Sequence, residues 1–304
     1  MFEINELTKR FGTFTALDNV TCRIPDGCIY GMVGSNGAGK STFLRLLSGV
    51  YKPTSGTITA DGQPVWENPE IKSQIAFIPD DLYFIGNSST KRMAKTYEAV
   101  YPTFDRKRFE ELAKDFNLDI TKNTNTLSKG MRRQAAIILA LAAKPRYIFF
   151  DETFDGLDPV MRNLVKKLIL SDVAERGACA IITSHSLREL EDTCDQLALL
   201  HKGGLILESD ISDLKTRQYK IQLAFADDYD RSRFDGIDIV SFSKSGSVAN
   251  MIVKGDRDET AVKLRALDPL FLDILPLTLE EVFTYEMETL GYSFDIDLTG
   301  GESK

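Results

Sequence analysis

The octet Gly34-Ser35-Asn36-Gly37-Ala38-Gly39-Lys40-Ser41 has the spacing G-x-x-x-x-G-K-[ST], and each residue type in it has a chemical reason. Glycines let the main chain turn tightly and approach phosphate oxygens with no Cβ in the way. The loop N–H groups then converge on an anion-binding concavity. A helix starting at Ser41 adds its positive N-terminal end. Lys40 has the reach for the terminal phosphates of a nucleoside triphosphate, and the Ser41 hydroxyl is suited to Mg2+. Thr42, next in the chain, joins the candidate phosphate contacts. The apolar run Cys28–Val33 precedes the loop, and Phe43, Leu44 and Leu47 follow it on one helix side. That strand–loop–helix context separates the motif from a chance Gly-rich turn.

Phosphoryl transfer also needs a metal-holding carboxylate and a group that positions the attacking water. Tyr147-Ile148-Phe149-Phe150-Asp151-Glu152 offers both. An apolar strand ending in two acids places them beside the phosphate loop in an open α/β sheet. Asp151 is the expected Mg2+ ligand, through water, and Glu152 the general base or water-orienting group. Two acids capping the following helix are the plainer alternative. His185 follows another apolar strand, Ala180–Thr183. It is a candidate donor to the γ-phosphate, against a helix-entry role with Ser184 and Ser186 as caps.

The elements needed to hold these groups are legible as alternating strands and helices. Strands are expected at Phe2–Phe11, Cys22–Ile24, Thr57–Ala60 and Gln196–Leu200, and helices at Arg106–Phe116, Lys129–Ala143, Val160–Glu175 and Leu187–Cys194. The pattern predicts an α/β core with a mainly parallel sheet, interrupted by a helical insertion at about 83–144. A smaller β/α segment follows, with strands near Lys220–Phe225, Ile237–Phe242 and Ala249–Lys254. Charge changes with it. From Glu208 onward there are 20 acidic against 11 basic residues, whereas the residues before are nearly balanced. This predicts a separate acidic domain at 218–304 behind a main domain at 1–217, with Gly300–Lys304 fraying.

A net charge of -8 argues against a nucleic-acid partner. The longest apolar run, Ala135–Ala143, is far below the ~20 residues of a membrane-spanning helix. Met1–Arg10 contains acids and no signal-peptide core, so an intracellular, soluble chain is expected. Cys22, Cys28, Cys179 and Cys194 follow no zinc or paired spacing and read as reduced thiols.

In this order the motifs resemble the nucleotide-binding subunit of ABC transporters, over roughly residues 1–217. Gly34–Ser41 is similar to the family's Walker A loop and Tyr147–Asp151 to Walker B, with Glu152 at the catalytic glutamate. Gly156-Leu157-Asp158-Pro159 resembles the D-loop, which adds Asp158 to the nucleotide-site candidates, and His185 the switch histidine. The resemblance implies a P-loop NTPase core with a helical subdomain and a small α+β accessory domain. It also implies ATP as substrate, Mg2+ as cofactor, and an adenine-stacking aromatic at Phe11, where an edge-strand core role is the rival. Leu127-Ser128-Lys129-Gly130-Met131 stands where the family has LSGGQ. Ser128 and Gly130 are thereby implied to contact ATP held by a partner chain, identical or related, in a dimer. Lys129 and Met131 depart from that signature. Asp80 is a second departure: the family has Gln there, touching Mg2+ and the attacking water. Asp80 is still able to bind the metal, but as an acceptor-only, negatively charged group near the γ-phosphate, and the plainer alternative is that it turns outward into solvent.

The implied function is an ATP-hydrolysing motor working through a separate transmembrane permease, peripheral at the cytoplasmic face of the membrane. Val100–Asp105 and Leu279–Phe283 look similar to ABC-2-type exporter ATPases, which points to export. Tyr83, Phe84, Tyr97, Tyr101 and Phe104 are candidates for a partner groove or for ordinary packing. Two alternatives stay open: a soluble ABC-type ATPase outside transport, and an ATP sensor with weak hydrolysis.

Overall fold

The computed structural model describes residues 1–289, without side-chain detail at 215–217 and 285–289. Gly300–Lys304 lie outside the described residues. The chain divides into two compact units, Met1–Glu208 and Ser209–Lys304.

The first unit opens with a hairpin of β1 (Phe2–Phe11) and β2 (Phe14–Ile24), then β3 (Ile29–Val33) and α1 (Lys40–Leu47). Next come β4 (Ser55–Ala60), β5 (Gln63–Pro64), α2 (Pro69–Lys72) and β6 (Ile75–Ile78). The helical insertion holds α3 (Thr90–Val100), α4 (Arg106–Asp115) and α5 (Lys129–Ala142). The chain returns through β7 (Tyr147–Asp151), α6 (Pro159–Arg176), β8 (Cys179–Ser184), α7 (Leu187–Glu191), β9 (Gln196–His201) and β10 (Gly204–Asp210).

Six strands form the central sheet in the order β10-β9-β3-β8-β7-β6. The neighbours from β9 to β6 run parallel. Every residue of β3, β7 and β8 is buried, as continuous apolar runs between helical layers require. A second, antiparallel sheet has the order β2-β1-β4-β5, and both sheets share one core through Phe2, Phe43, Tyr147 and Phe149. The expected mainly parallel core is thus present, with this antiparallel sheet beside it.

Two expected elements change length for identifiable reasons. β2 begins at Phe14 rather than Cys22. The β1–β2 register shifts at Ile4/Leu7, Leu7/Lys9 and Lys9/Arg10, and Glu6 and Asn19 have positive φ. These bulges break the period-2 alternation by which a strand is read. The helix expected at Leu187–Cys194 ends at Glu191. The Thr193 and Cys194 amides both turn back to the Leu190 carbonyl.

The second unit contains α8 (Ile211–Arg217), β11 (Gln218–Ala224), β12 (Ile239–Ser245), β13 (Val248–Lys254), α9 (Arg257–Arg265), β14 (Phe271–Pro276) and α10 (Leu279–Thr289). Its antiparallel sheet has the order β12-β13-β11-β14. Tyr219, Ile221, Phe225, Phe234 and Met251 form its own core. Helix α8 packs on α10 and β11, so it groups with this unit rather than with residues 1–217. All four cysteines are buried free thiols.

Candidate active site

The parallel strands end together. Val33 is level with Ser184, Asp151 with Thr183, and Ile78 with Phe150. The segments after β3, β6, β7 and β8 therefore leave one sheet edge side by side. They carry the phosphate loop, Asp80, Glu152 and His185 respectively. This carboxyl-end edge is where open α/β sheets bind ligands.

The loop glycines answer to different constraints. A Cβ on Gly34 would lie 2.4 Å from the Leu200 carbonyl oxygen. Gly39 has φ 110° and a Cβ there would lie 2.6 Å from the Ala16 oxygen. Gly37 has φ 81° with open space around it. Ser35, Asn36 and Gly37 are exposed, while Gly34, Ala38 and Lys40 are buried. The Ala38 amide closes a turn onto the Ser35 carbonyl. Lys40 Nζ donates to the Gly34 carbonyl at 2.6 Å and lies 3.0 Å from Glu152 Oε1. Ser41 and Thr42 head helix α1, half-buried.

Asp151 is fully buried. Its Oδ1 accepts from Ser41 Oγ at 3.0 Å and from Thr183 Oγ1 at 2.9 Å. Oδ2 meets no hydrogen-bond partner. Burial pushes this carboxyl above the ordinary aspartate pKa, although both hydroxyl donors pull the other way. A buried acceptor oxygen left over beside a serine hydroxyl is a hard-oxygen donor set, which fits Mg2+.

Glu152 adopts a left-handed conformation with φ 46°, which costs a non-glycine residue ~1–2 kcal/mol. The surroundings over-determine it. Its amide donates to Thr183 O and Oγ1, both at 3.2 Å. Its carbonyl accepts from Arg133 Nη1 at 3.1 Å. Its carboxylate is held between Lys40 on Oε1 and His185 Nδ1, 3.0 Å from Oε2. The sequence offers His185 as a γ-phosphate donor or a helix-entry residue; its Nδ1 lies beside Glu152 and 3.8 Å from Asp155 Oδ2.

Similarity to known proteins follows this geometry. The ABC transporter family matches residues 17–155. The ABC transporter ATP-binding protein YtrB of Bacillus subtilis (strain 168) is 33% identical over 93% of this chain and 97% of its own length. The bacitracin transport ATP-binding protein BcrA of Bacillus licheniformis is 31% identical over 72% of this chain and 73% of its own. Among solved structures, a dimeric ATP-binding cassette in a post-hydrolysis state with ADP and Pi is similar. It has a TM-score of 0.63 at 23% identity, over 69% of this chain and 99% of that one.

The chain belongs to the ABC transporter ATP-binding proteins. It binds nucleotide, hydrolyses ATP and has the family's P-loop NTPase fold.

The family's remaining positions fall as follows in this ABC protein. Ser128 and Lys129 are exposed at the start of α5, where Ser128 Oγ accepts from the Met131 amide as N-cap. Gly130 sits against Gly156, since a Cβ there would lie 3.2 Å from the Gly156 oxygen. Asp158 Oδ1 caps α6, accepting from the Val160 and Met161 amides at 3.0 Å. Its carboxylate is thus already engaged in a structural role. Phe11 is exposed at the end of β1, edge-on to Tyr51 at 5.4 Å with Lys9 Nζ 4.9 Å above its ring. The residue is 43% exposed, with Tyr51 at its ring edge and Lys9 over one face.

Asp80 does not stand alone. Its Oδ1 accepts from Arg133 Nη2 at 2.9 Å, and that arginine is 1% exposed. Arg133, Thr183 and Asp155, whose Oδ2 is 3.8 Å from His185 Nδ1, are participants that sequence reasoning missed. Thr183 had one signal, a hydroxyl at the end of an apolar run. Arg133 had none, because Arg132-Arg133 on a helix reads as a solvated face. Of the five aromatics, Tyr97 packs against Tyr101 and edge-on against Phe104, and Phe84 is buried, whereas Tyr83 is 84% exposed.

Proposed function

We propose that this chain is the motor of an ABC exporter and that hydrolysis at Gly34–Ser41 is carried out by Glu152. One observation carries the site assignment: Lys40, Ser41, Asp151, Glu152 and His185 are tied at the strand ends by contacts of 3.0 Å. The loop amides and Lys40 bind the phosphates. Phe11 stacks on the adenine. Ser41 and Asp151 are the residues that would hold Mg2+, which would neutralise phosphate charge when bound, whereas Asp80 is already engaged by Arg133. Glu152 orients the attacking water and accepts its proton. His185, bonded to the Glu152 carboxylate, fixes that carboxylate and stands ready to donate toward the γ-phosphate.

Ser128 and Gly130, at an exposed helix N-terminus, serve the ATP of a second chain, identical or related. Two such half-sites close only in a two-fold dimer. ATP joins the pair and hydrolysis releases it, which is a ligand-biased two-state element able to drive another protein. Among the described residues no helix is long and apolar enough to cross a membrane; in this reading the driven protein is a separate transmembrane permease. The chain then works at the cytoplasmic membrane face. Kinship with a bacitracin transport protein supports export, as do the segments Val100–Asp105 and Leu279–Phe283. The acidic C-terminal domain is an accessory to this motor.

The test is association. With MgATP, the Glu152→Gln variant is expected to run at twice the 34.0 kDa of one chain in light scattering, and to return to one chain with MgADP. A mass independent of nucleotide would remove the half-site reading. Detergent extraction of native membranes should recover the chain with a polytopic partner. Recovery from the soluble fraction alone would count against the exporter.

A further inference from the structure

Arg133 lies in α5, the helix whose N-terminus carries Ser128 and Gly130. Its side chain is 1% exposed, and its two Nη atoms meet one carboxylate oxygen and two main-chain carbonyls, while Nε meets no hydrogen-bond partner. Nη1 donates to the Glu152 carbonyl at 3.1 Å. Nη2 donates to Asp80 Oδ1 at 2.9 Å and reaches the Asp80 carbonyl at 3.4 Å. One side chain therefore ties together the segment after β6, the segment after β7 and the helix carrying the signature-like residues. A buried guanidinium is a costly way to fill a core position, and apolar residues of similar volume often do so better. Its geometry is useful in another way: the planar fork fixes two acceptors at a set separation.

We propose that Arg133 is a positioning residue for ATP hydrolysis. It pins the main chain of Glu152 in its left-handed conformation and neutralises Asp80, so that an acid is tolerated beside the γ-phosphate where the family has an amide. The inference rests on Glu152 being the hydrolytic group. Removal of Arg133 has two consequences. The Glu152 carbonyl loses its donor, and the glutamate carboxylate drifts from the water it must orient. Asp80 becomes an uncompensated charge facing a polyphosphate. The first effect lowers turnover, because small displacements of a catalytic group are costly. The second is specific, since it disappears when Asp80 is itself neutral. Nucleotide affinity is set by the loop amides and Lys40, which Arg133 does not touch.

The experiment is a double-mutant cycle on the full chain. ATP turnover against MgATP concentration is measured for wild type, Arg133→Met, Asp80→Asn and the double variant, with binding of a fluorescent ATP analogue followed in each. Arg133→Met is expected to lower kcat by roughly 10- to 100-fold, with KM and analogue affinity within about threefold of wild type. Adding Asp80→Asn is expected to recover at least about threefold of that loss. Arg133→Lys, which keeps the charge but not the fork, should fall between wild type and Arg133→Met. Unchanged kcat in Arg133→Met overturns the proposal. So does a double variant in which the two losses simply multiply, because that is the behaviour of a packing residue. Loss of analogue binding along with turnover also overturns it. A wild-type chain that binds the analogue and releases no phosphate would contradict the assignment of Glu152 itself, and this inference with it.

Discussion

Asp151 is held in the interior with one oxygen satisfied twice over and the other not at all. Such a group opposes folding unless something binds it. A buried unpaired acceptor costs about 1–3 kcal/mol. The sign of its pH dependence follows from its raised pKa. Folding favours the neutral form, so this residue contributes to stability below the ordinary aspartate pKa. That contribution is lost as pH rises through the raised folded value. Asp151→Asn keeps an acceptor for Ser41 and Thr183 while removing the charge. Its urea midpoint is expected to equal or exceed that of wild type, while MgATP-dependent phosphate release falls by at least about 100-fold. A lowered midpoint with activity retained would show that Asp151 is a structural acid instead.

Among elements, the strand β3, the loop and helix α1 form one unit whose glycines are not interchangeable. Gly34 is closed in by main chain: a Cβ there would sit 2.4 Å from the Leu200 carbonyl oxygen, and a carbonyl in a paired strand has nowhere to go. Gly37 has open space and only its φ of 81° to defend. Gly34→Ala should therefore cost about 1–3 kcal/mol or more by overpacking, and Gly37→Ala about 1–2 kcal/mol by backbone strain. Urea denaturation of the two variants checks the order, and equal losses would show that the β9 contact is not limiting. This unit was legible in the sequence because its motif is contiguous and its flanking apolar runs have the right lengths. Asp151 and Glu152 were legible for the same reason: they end an apolar strand. Arg133 was not, because its burial depends on Asp80 and Glu152 arriving from segments 53 and 19 residues away. The length of β2 was hidden by bulges, which shift register without any residue type that announces them.

At the scale of the molecule, the parallel sheet acts as an alignment device. Strands β3, β7 and β8 end in register, so groups from sequence positions 34–41, 151–152 and 183–185 meet without long reaches. Helix α5 starts on the exposed surface with Ser128 and reaches the site interior at Arg133. Ser128 is thus little more than one turn of helix from Arg133, whose Nη1 donates to the Glu152 carbonyl. This layout makes Glu152 the point where Lys40 of the loop, His185 and Arg133 of helix α5 converge. Phosphate release by the purified full chain in MgATP, with nucleotide binding measured alongside, tests that convergence most directly. Wild type is expected to release phosphate steadily, and Glu152→Gln to bind ATP as well as wild type while releasing at least about 100-fold less. Release by Glu152→Gln at the wild-type rate would contradict the role of Glu152 and the site built around it.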